Sequence, residues 1–448
     1  MADGSRPWIL PLDMVLRFEG LQPPVHLVRG LGGGTQGQVF EVEVAGEPLA
    51  LKWYFPNCIA ADPNLERRLL DSIQATSPNP SFLWPIALLR AAPDQRERIP
   101  LARQSFGYLM PLRSAGFIGA HEHVGGLVDI SLQTVLRASF FLADAFHDLH
   151  LRGLCYKDIS LMNLFLEPDS GRILICDNDN VAVDGRDPGS VLGTPGFMAP
   201  DELLGQARPG ANSDLFSLAV LIFRLLTRHD PLLGQMELAI RCLDEPARRR
   251  LYGEDPVFIF DPHDSRNRPD PQEHPAALIT WPIYPSALQA LFLQTFGIGM
   301  KTPSQRALTG QWKQVLADCL DQRRLCPHCG QETFPDPGTD APCWHCGKTP
   351  GPGLSLVLPH GLVQATAGNE LHPHHFDNLK SRTLTQPVGR LETHPGRADL
   401  IGLRNLEQQP WQALLLNGQS LVIAPGQACN LAPLARLETP AGPITVLR

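Results

Sequence analysis

Two acidic residues and one amide stand at spacings that could hold a metal ion beside a reacting hydroxyl group. Asp158 and Asn163 lie five residues apart, just after a long apolar helix pattern. Asp177 follows at the end of the apolar run 173–176. Carboxylate and amide oxygens are the ligands that Mg²⁺ takes in phosphoryl-transfer sites. The pattern predicts Asn163 and Asp177 as Mg²⁺ ligands and Asp158 as the acid that orients a substrate hydroxyl and accepts its proton.

A glycine-rich segment near the N-terminus could enclose phosphate groups. It fits the pattern G-x-G-x-x-G-x-V with Gly32, Gly34, Gly37 and Val39, and it lies between two predicted strands. Without side chains at these positions, a strand turn can approach a triphosphate closely and offer backbone N–H donors. An ordinary glycine-rich turn is the alternative, because such turns are common.

A lysine on a predicted strand follows, in the sequence Leu-Ala-Leu-Lys that ends at Lys52. A buried ammonium group needs an acidic partner. Glu66 is the one glutamate in the next predicted helix, and it is the predicted partner. The pair would let Lys52 bind the α- and β-phosphates of ATP. The alternative is a surface lysine whose aliphatic stem packs on the sheet.

The order of these four elements resembles the eukaryotic-like protein kinase family over roughly residues 20–318. Residues 193–202, Gly-Thr-Pro-Gly-Phe-Met-Ala-Pro-Asp-Glu, resemble the end of the activation segment and are typical of Ser/Thr kinases. Residues 213–218 resemble the start of the central helix of the large lobe, where Asp214 would brace the catalytic loop. The resemblance implies a two-lobed α+β kinase fold that uses ATP and Mg²⁺ to phosphorylate protein substrates.

Further roles are implied by the resemblance alone. Arg306 would pair with Asp201, or with Glu202 if the register slips by one residue. Nucleotide-contacting positions are also implied, and they fall on Val39, Ala50 and Phe165.

Several residues depart from the family pattern. Ser160 stands where the family has a lysine that contacts the γ-phosphate, which removes one charge from transition-state stabilisation. Asn178 and Asp179 replace the Phe and Gly that follow the metal-binding Asp. Ser190 and Thr194 are candidate phosphorylation sites or structural hydroxyls. A pseudokinase scaffold that binds nucleotide and recruits partners therefore remains an alternative, as does a small-molecule phosphotransferase.

Four cysteines form a second constellation, with two Cys-x-x-Cys-Gly knuckles thirteen residues apart. This spacing is typical of a structural zinc ribbon in which four thiolates close the coordination shell. The predicted ligands are Cys326, Cys329, Cys343 and Cys346. The other six cysteines are single and flanked by apolar residues, as buried thiols in a reducing compartment are. The histidines of residues 372–375 have no acid or cysteine beside them, and an exposed loop is expected there.

The elements that position these residues follow from periodicity. Alternating apolar residues predict strands at 25–31, 38–44, 48–54 and 106–112, and helical spacing predicts helices at 65–73, 131–151 and 213–227. Residues 349–353, Thr-Pro-Gly-Pro-Gly, indicate a linker. Beyond it, Asn417-Gly418 and Ala441-Gly442 predict hairpin turns in an antiparallel β module.

Composition limits the class of protein. The chain has 448 residues, 43% of them hydrophobic, which is enough for two or three domains with packed cores. Its net charge of −8 argues against nucleic acid as the main partner. No secretory signal or membrane span is expected from the sequence, and we expect a cytoplasmic protein.

The domain order resembles the kinases of the bacterial TerY-phosphorylation triad. We expect an N-terminal extension at 1–20, a kinase domain at 21–320 whose small lobe ends near residue 112, a zinc ribbon at 321–350 and a β-sandwich-like module at 351–448. The resemblance implies that the C-terminal part docks partners. These would be a von Willebrand factor A-domain protein and a metal-dependent Ser/Thr phosphatase.

Overall fold

A computed structural model describes residues 8–97, 103–185, 193–336, 338–339 and 341–448. The small lobe is a six-stranded antiparallel sheet in the order β1-β2-β3-β4-β6-β5, with two helices on the segment that follows β4. Its elements are β1 (Val15–Leu16), β2 (Val25–Gly33), β3 (Gly37–Val44), β4 (Glu47–Tyr54), α1 (Pro56–Ala61), α2 (Leu65–Ala75), β5 (Ala87–Leu89), a 3₁₀ turn (Pro93–Gln95) and β6 (Gly107–Pro111).

The N-terminal residues belong to this lobe. Strand β1 pairs with β2, and Leu10, Leu16 and Phe18 are buried in the same apolar cluster as Phe40. Trp8 packs edge-on against Phe40 at a centroid distance of 5.4 Å. The described part of the expected extension is therefore a piece of the small lobe, because its apolar side chains complete the core behind the sheet.

The large lobe is mainly helical and surrounds helices α4 and α6. Helix α4 begins after Ser131, whose hydroxyl accepts the N–H of Thr134 as a helix cap. Nearly all side chains of α6 are buried, as expected for a central helix. The elements are β7 (Ile118–Gly119), α3 (Ala120–Val124), α4 (Leu132–Leu151), β8 (Leu154–Cys155), β9 (Leu164–Leu166), β10 (Ile173–Ile175), β11 (Ala182–Val183), α5 (Pro200–Leu203), α6 (Ala211–Thr227), α7 (Gln235–Leu238), α8 (Glu245–Arg249), α9 (Pro275–Thr280), α10 (Ser286–Phe296), α11 (Ile298–Lys301) and α12 (Thr309–Gln322). Single turns join them: 3₁₀ turns at Leu161–Asn163, Asn178–Asn180, Trp281–Ile283 and Pro303–Gln305, and a π turn at Arg250–Glu254.

The C-terminal part contains a small hairpin and then two antiparallel sheets around one apolar core. The hairpin pairs β12 (Arg324–Leu325) with β13 (Glu332–Thr333). One sheet has the order β15-β14-β23-β22-β19-β20 and the other β16-β17-β18-β21. The strands are β14 (Ser355–Leu358), β15 (Gly361–Gln364), β16 (Glu370–Leu371), β17 (Gly389–His394), β18 (Arg397–Asn405), β19 (Trp411–Leu415), β20 (Ser420–Ile423), β21 (Ala428–Asn430), β22 (Leu434–Thr439) and β23 (Gly442–Leu447), and a 3₁₀ turn covers Pro373–His375.

The β module packs directly on the large lobe. Arg137 of α4 forms an ion pair with Glu370, at an N–O distance of 2.9 Å, and Arg323 donates to the carbonyl oxygen of Ala367. Phe334 and Leu384, which follow α12 in the chain, are buried in the core of the large lobe. The β module that begins after the linker at residues 349–353 therefore shares an interface with the large lobe.

Among the described residues, no helix combines the length and the apolar character needed to cross a membrane.

Candidate active site

The catalytic loop is held from below by Asp214, which lies in the first turn of α6. The Asp214 carboxylate accepts the backbone N–H groups of Tyr156 and Lys157, at 2.7 and 2.9 Å, and contacts His150 Nε2 at 3.1 Å. Lys157 has a φ of 71°, a left-handed conformation that a lysine rarely adopts without such support. The expectation that Asp214 braces the loop is confirmed by these contacts.

Asp158 lies where the catalytic loop meets the end of the activation segment. The hydroxyl of Thr194 donates to Asp158 Oδ1 at 2.6 Å, and Asn163 Nδ2 donates to the Asp158 carbonyl oxygen at 2.9 Å. Thr194 is thus a structural partner of Asp158 in this conformation, a contact that the sequence did not reveal. Ser190 lies outside the described residues.

The two predicted metal ligands lie side by side because of a hairpin. Strand β9 starts directly after Asn163 and β10 ends two residues before Asp177, and Leu164 pairs with Ile175. Cys176 N–H donates to the Asn163 carbonyl oxygen at 3.0 Å, which closes the open end of the hairpin. Burial raises the pKa of Asp177, although Lys52 opposes this shift. A cation at Asp177 would relieve this cost.

The donor set fits Mg²⁺. Both contacts from Asn163 to Asp158 use its amide nitrogen, so its oxygen Oδ1 remains available as a ligand atom. The Asp177 side chain is partly desolvated by its neighbours but keeps 38% of its surface exposed, so an ion can reach it from solvent. When bound, Mg²⁺ would neutralise phosphate charge, and Asn163 and Asp177 are the residues that would hold it.

The glycine-rich turn leaves space for phosphates. A Cβ atom at Gly32 or Gly34 would meet no atom within 4 Å, whereas a Cβ at Gly37 would lie 2.2 Å from the Trp53 carbonyl oxygen. Gly37 is therefore required for strand pairing, and Gly32 and Gly34 keep the face of the turn open. The side chain of Gln36, at the tip, bends inward and accepts from Lys52 Nζ at 3.0 Å.

Lys52 lies in the middle of β4, opposite Tyr108 of β6, and its side chain is 5% exposed. Its ammonium group contacts both oxygens of Asp179, at 3.0 and 3.2 Å, and Asp177 Oδ1 at 3.4 Å. Burial alone would lower the pKa of Lys52, but the two carboxylates raise it above its usual value. The ammonium is thus fully charged, and the alternative of a surface lysine is excluded.

The predicted Lys52–Glu66 pair is wrong for this structure. Glu66 forms an ion pair with Arg90 near the surface, where the two side chains are 36% and 43% exposed. The Lys52–Glu66 pair does not form because the Lys52 ammonium group is already paired with the Asp179 carboxylate. In the sequence, Asp179 stands out as a departure from the family pattern. Its position as a second acid, two residues after Asp177, was the signal that could have identified it as the partner of Lys52.

The turn that carries Asp179 is polar and buried. Asp179 is 1% exposed and accepts from the Tyr54 hydroxyl at 2.5 Å. Burial would raise the pKa of Asp179, but the Lys52 charge and the hydrogen bonds from Tyr54 and Lys52 together lower it below its ordinary value. Asn178 Nδ2 donates to the carbonyl oxygens of Leu83 and Ile175, at 2.8 and 3.0 Å. Asp177, at the start of the turn, has a left-handed backbone conformation with a φ of 55°.

The remaining predicted nucleotide contacts lie on both sides of the cleft. Ala50 is buried in β4, and Val39 packs against the same small cluster. Phe165 lies in β9, half-buried, with the Arg113 guanidinium 4.3 Å from its ring centroid. The contacts of these three side chains with a nucleotide remain a prediction.

The end of the activation segment is fixed by Arg306. This fully buried guanidinium forms an ion pair with Asp201 and donates to the Asn212 carbonyl oxygen at 2.9 Å. Asp201, rather than Glu202, is thus the acidic partner. The neighbouring Glu202 is buried, its Oε1 has no hydrogen-bond partner among the described residues, and burial raises its pKa to about 7.

The four cysteines come together as predicted. Cys326 Sγ lies 3.7 Å from Cys346 Sγ, and Cys329 Sγ lies 3.7 Å from Cys343 Sγ. Zn–S bonds of about 2.3 Å in a tetrahedron imply S–S edges of about 3.8 Å, whereas a disulfide needs about 2.05 Å. The thiolate cage thus has the size that zinc requires. The knuckles repeat one hydrogen bond, from the glycine N–H to the first cysteine carbonyl oxygen, at 2.8 Å in each.

The histidine loop is buried, so the expectation of an exposed loop was wrong. Asp321, His374 and His375 bring possible ligand atoms within 4.8 Å of one another. However, His375 Nδ1 accepts the His372 N–H at 2.9 Å, which leaves the ring proton on Nε2, facing Asp321 at 3.0 Å. His375 is therefore a hydrogen-bond donor that ties the β module to α12, and a metal ion would have to displace that proton.

Part of the chain is similar in sequence to known protein kinases. Residues 130–265 match the protein kinase domain family. The chain is 30% identical over 140 residues to the DNA damage-responsive serine/threonine-protein kinase RqkA of Deinococcus radiodurans, covering 30% of this chain and 20% of that protein. It is 32% identical over 96 residues to the serine/threonine-protein kinase PknL of Mycobacterium tuberculosis, covering 20% and 23%.

A longer match extends to protein kinase C delta type of Mus musculus, with 26% identity over 216 residues, 46% of this chain and 30% of that protein. The chain thus spans less than a third of the length of each of these relatives. The segment that matches the protein kinase domain family contains Asp158, Asn163 and Asp177, and the two of these relatives with 30% identity or more are serine/threonine-protein kinases.

Proposed function

We propose that this protein is a Ser/Thr protein kinase that transfers the γ-phosphoryl group of Mg-ATP to a protein hydroxyl. One observation carries the proposal: Asn163 bonds to Asp158 and, through the β9–β10 hairpin, lies beside Asp177, which contacts the charged Lys52. Asp158 would orient the substrate hydroxyl and accept its proton, while Lys52 binds the phosphates. Asn163 and Asp177 are the residues that would hold the metal ion.

A pseudokinase is the second candidate, and specific contacts favour it. Ser160 is buried where the family has the γ-phosphate lysine. Lys52 is engaged by Asp179 and by Gln36 of the glycine-rich turn, so nucleotide has to displace the Gln36 contact. We favour catalysis, because removal of one transition-state charge costs about 10²–10³ in rate, which leaves a slow enzyme.

A radiolabel-transfer assay decides between the two candidates. Full-length protein would be incubated with Mg²⁺, ATP labelled in the γ-phosphate and a generic acceptor such as casein. We expect transfer that falls about 10²–10⁴-fold in Asp158→Ala, because that variant lacks the proton acceptor. Asp169→Ala is the matched control, since Asp169 is an exposed acid in the adjoining turn. No transfer to any acceptor, with nucleotide binding intact, would establish the pseudokinase.

We also propose that the four-cysteine cluster holds one structural zinc ion. The 3.7 Å S–S spacings support it. Elemental analysis of reduced protein should give about one zinc per chain, and Cys326→Ser with Cys343→Ser should abolish it. Cys242→Ser, which changes an exposed thiol outside the cluster, should leave the zinc content unchanged. Zinc-free wild-type protein would contradict the assignment.

The partner assignments rest on the resemblance in domain order. We propose that the C-terminal region docks a von Willebrand factor A-domain protein, and that a metal-dependent Ser/Thr phosphatase opposes the kinase, in a cytoplasmic setting that suits ten cysteines without a disulfide. Titration of the full-length chain with such a von Willebrand protein should give saturable binding and faster phosphorylation than casein. Failure of both would remove this part of the proposal.

A further inference from the structure

We propose that Asp179, and not Glu66, positions Lys52 for the nucleotide phosphates, so that the turn carrying the metal-binding Asp177 sets the lysine. This inference rests on the proposed kinase function and concerns how its site is assembled. Its consequence is that the acid paired with the lysine does not come from helix α2.

The contacts of Asp179 are those of a dedicated counter-ion. Both of its oxygens lie within 3.2 Å of Lys52 Nζ, and the carboxylate is 1% exposed. The Tyr54 hydroxyl donates to Oδ2 at 2.5 Å, and the Tyr108 hydroxyl lies 3.5 Å from Oδ1. Lys52 and Tyr54 are on β4 and Tyr108 is on β6, so the sheet supplies all three donors. A buried carboxylate with this many donors is held in one position.

The turn of Asp179 is itself anchored to the protein core. Asn178 is fully buried, and its amide bonds to the carbonyl oxygens of Leu83 and Ile175 fix the 3₁₀ turn Asn178–Asn180, which begins directly after Asp177. Asp177 and Asp179 therefore belong to one rigid unit. Asp179 makes the two shorter contacts with Lys52, at 3.0 and 3.2 Å, whereas Asp177 contacts it through Oδ1 alone, at 3.4 Å. The second oxygen of Asp177 would be the one that faces a divalent cation.

Among the hydrogen bonds and ion pairs of the described residues, none joins helix α2 to Lys52, and the helix contributes apolar packing, with Leu69 in the same cluster as Tyr54. Its acid Glu66 is used by Arg90, and its buried Arg68 pairs with Asp62 in the loop before the helix. In protein kinases whose lysine is held by a glutamate on this helix, displacement of the helix breaks the ion pair and switches the enzyme off. Here the ion pair of Lys52 includes no residue of α2, so a displacement of the helix would not remove the acid from the pair.

The first test is a pair of double-mutant cycles on full-length protein, which needs neither nucleotide nor transfer. Urea unfolding midpoints would be measured for Lys52→Met, Asp179→Asn, Glu66→Gln and the two double variants. We expect strong non-additivity for Lys52 with Asp179, and additive shifts for Lys52 with Glu66. Additivity with Asp179, or coupling with Glu66, overturns the proposal.

The second test reports on the nucleotide site. Labelling of Lys52 by an acyl-phosphate derivative of ATP would be followed by mass spectrometry, with kcat and the KM for ATP measured separately. Asp179→Asn should lower labelling and kcat/KM by about 10²-fold, since misplacement of a positioning group by about 1 Å costs this much. Glu66→Gln should stay within about twofold of wild type, and Asp179→Glu should recover part of the loss.

These outcomes separate the two proposals. Wild-type protein that labels Lys52 but transfers no phosphate contradicts the kinase activity and leaves the pairing intact. Faster transfer in Asp179→Asn would show that Asp179 restrains Lys52 rather than positioning it, and would overturn the inference. A larger loss in Glu66→Gln than in Asp179→Asn would also overturn the inference. It would show that Glu66 of helix α2 positions Lys52, as the family pattern implied.

Discussion

The loop around Asp158 and the surroundings of Lys52 follow the family pattern to different degrees. In the large lobe, Asp214 accepts the backbone N–H groups of Tyr156 and Lys157 and Arg306 pairs with Asp201, both as the sequence pattern implied. In the small lobe, Lys52 is charged and buried as expected, but its acid comes from the turn after Asp177, the proposed metal ligand, instead of helix α2.

The difference follows from what each contact joins. Asp214 bonds to backbone groups whose positions are set by chain geometry, so the motif alone predicts the contact. Lys52 has a long, flexible side chain that can reach any acid around it, so it pairs with the nearest one. Here two neighbouring acids, Asp177 and Asp179, both lie within reach of its ammonium group.

The largest expected effect comes from removing the C-terminal region, which tests whether the large lobe is complete without it. Truncation after Leu320 removes Phe334 and Leu384 from the lobe core. Loss of two large buried apolar side chains should cost about 3–6 kcal/mol in the free energy of unfolding, measured with urea. Transfer to casein should fall as well.

The matched control for the truncation is Leu379→Ala, which changes an 89% exposed side chain of the same region. It should leave stability and transfer unchanged. A truncated protein as stable as wild type would show that the lobe is self-contained, as the linker at residues 349–353 suggested from sequence.

The second prediction concerns the catalytic loop itself. Asp214→Ala leaves the N–H groups of Tyr156 and Lys157 buried without an acceptor, at about 1–3 kcal/mol each. We expect a loss of about 3 kcal/mol in the free energy of unfolding and a steep loss of transfer, because Lys157 no longer has support for its left-handed conformation. Asp169→Ala is again the control. A stable, active Asp214→Ala would mean that the loop holds its conformation by other contacts.

Much of the fold could be predicted from sequence, because periodicity reports on burial. The strand predicted at 48–54 is Glu47–Tyr54, and the helix predicted at 131–151 is Leu132–Leu151. The cysteine cluster followed from spacing alone. The Lys52–Asp179 pair, the Asp158–Thr194 bond and the buried His375 did not, because each joins side chains far apart in sequence.

A third, smaller effect tests the environment of Lys52. Tyr54→Phe removes the 2.5 Å hydrogen bond to Asp179 and should cost about 2 kcal/mol in stability, since hydrogen bonds to charged groups contribute about 1.5–3 kcal/mol. Tyr108→Phe, whose hydroxyl is 3.5 Å from the same carboxylate, is the matched control and should cost much less. Urea unfolding measures both. Equal losses would mean that the Asp179 carboxylate is shared evenly between the two hydroxyls.

The smallest effect distinguishes the neighbouring acids Asp201 and Glu202. Burial raises the pKa of Glu202 to about 7, above its ordinary value near 4.5, so the folded state binds the proton more tightly than the unfolded state does. This stabilisation is complete below about pH 4.5 and is lost as the pH rises through 7. Glu202→Gln should therefore match wild type at pH 5 and exceed its stability by about 1 kcal/mol at pH 8, after allowance for solvent screening.

Asp201→Asn, which breaks the Arg306 pair, should destabilise the protein at both pH values, because it leaves a buried guanidinium without its acid. Identical pH profiles for Glu202→Gln and wild type would show that Glu202 is ionised in the folded protein at neutral pH.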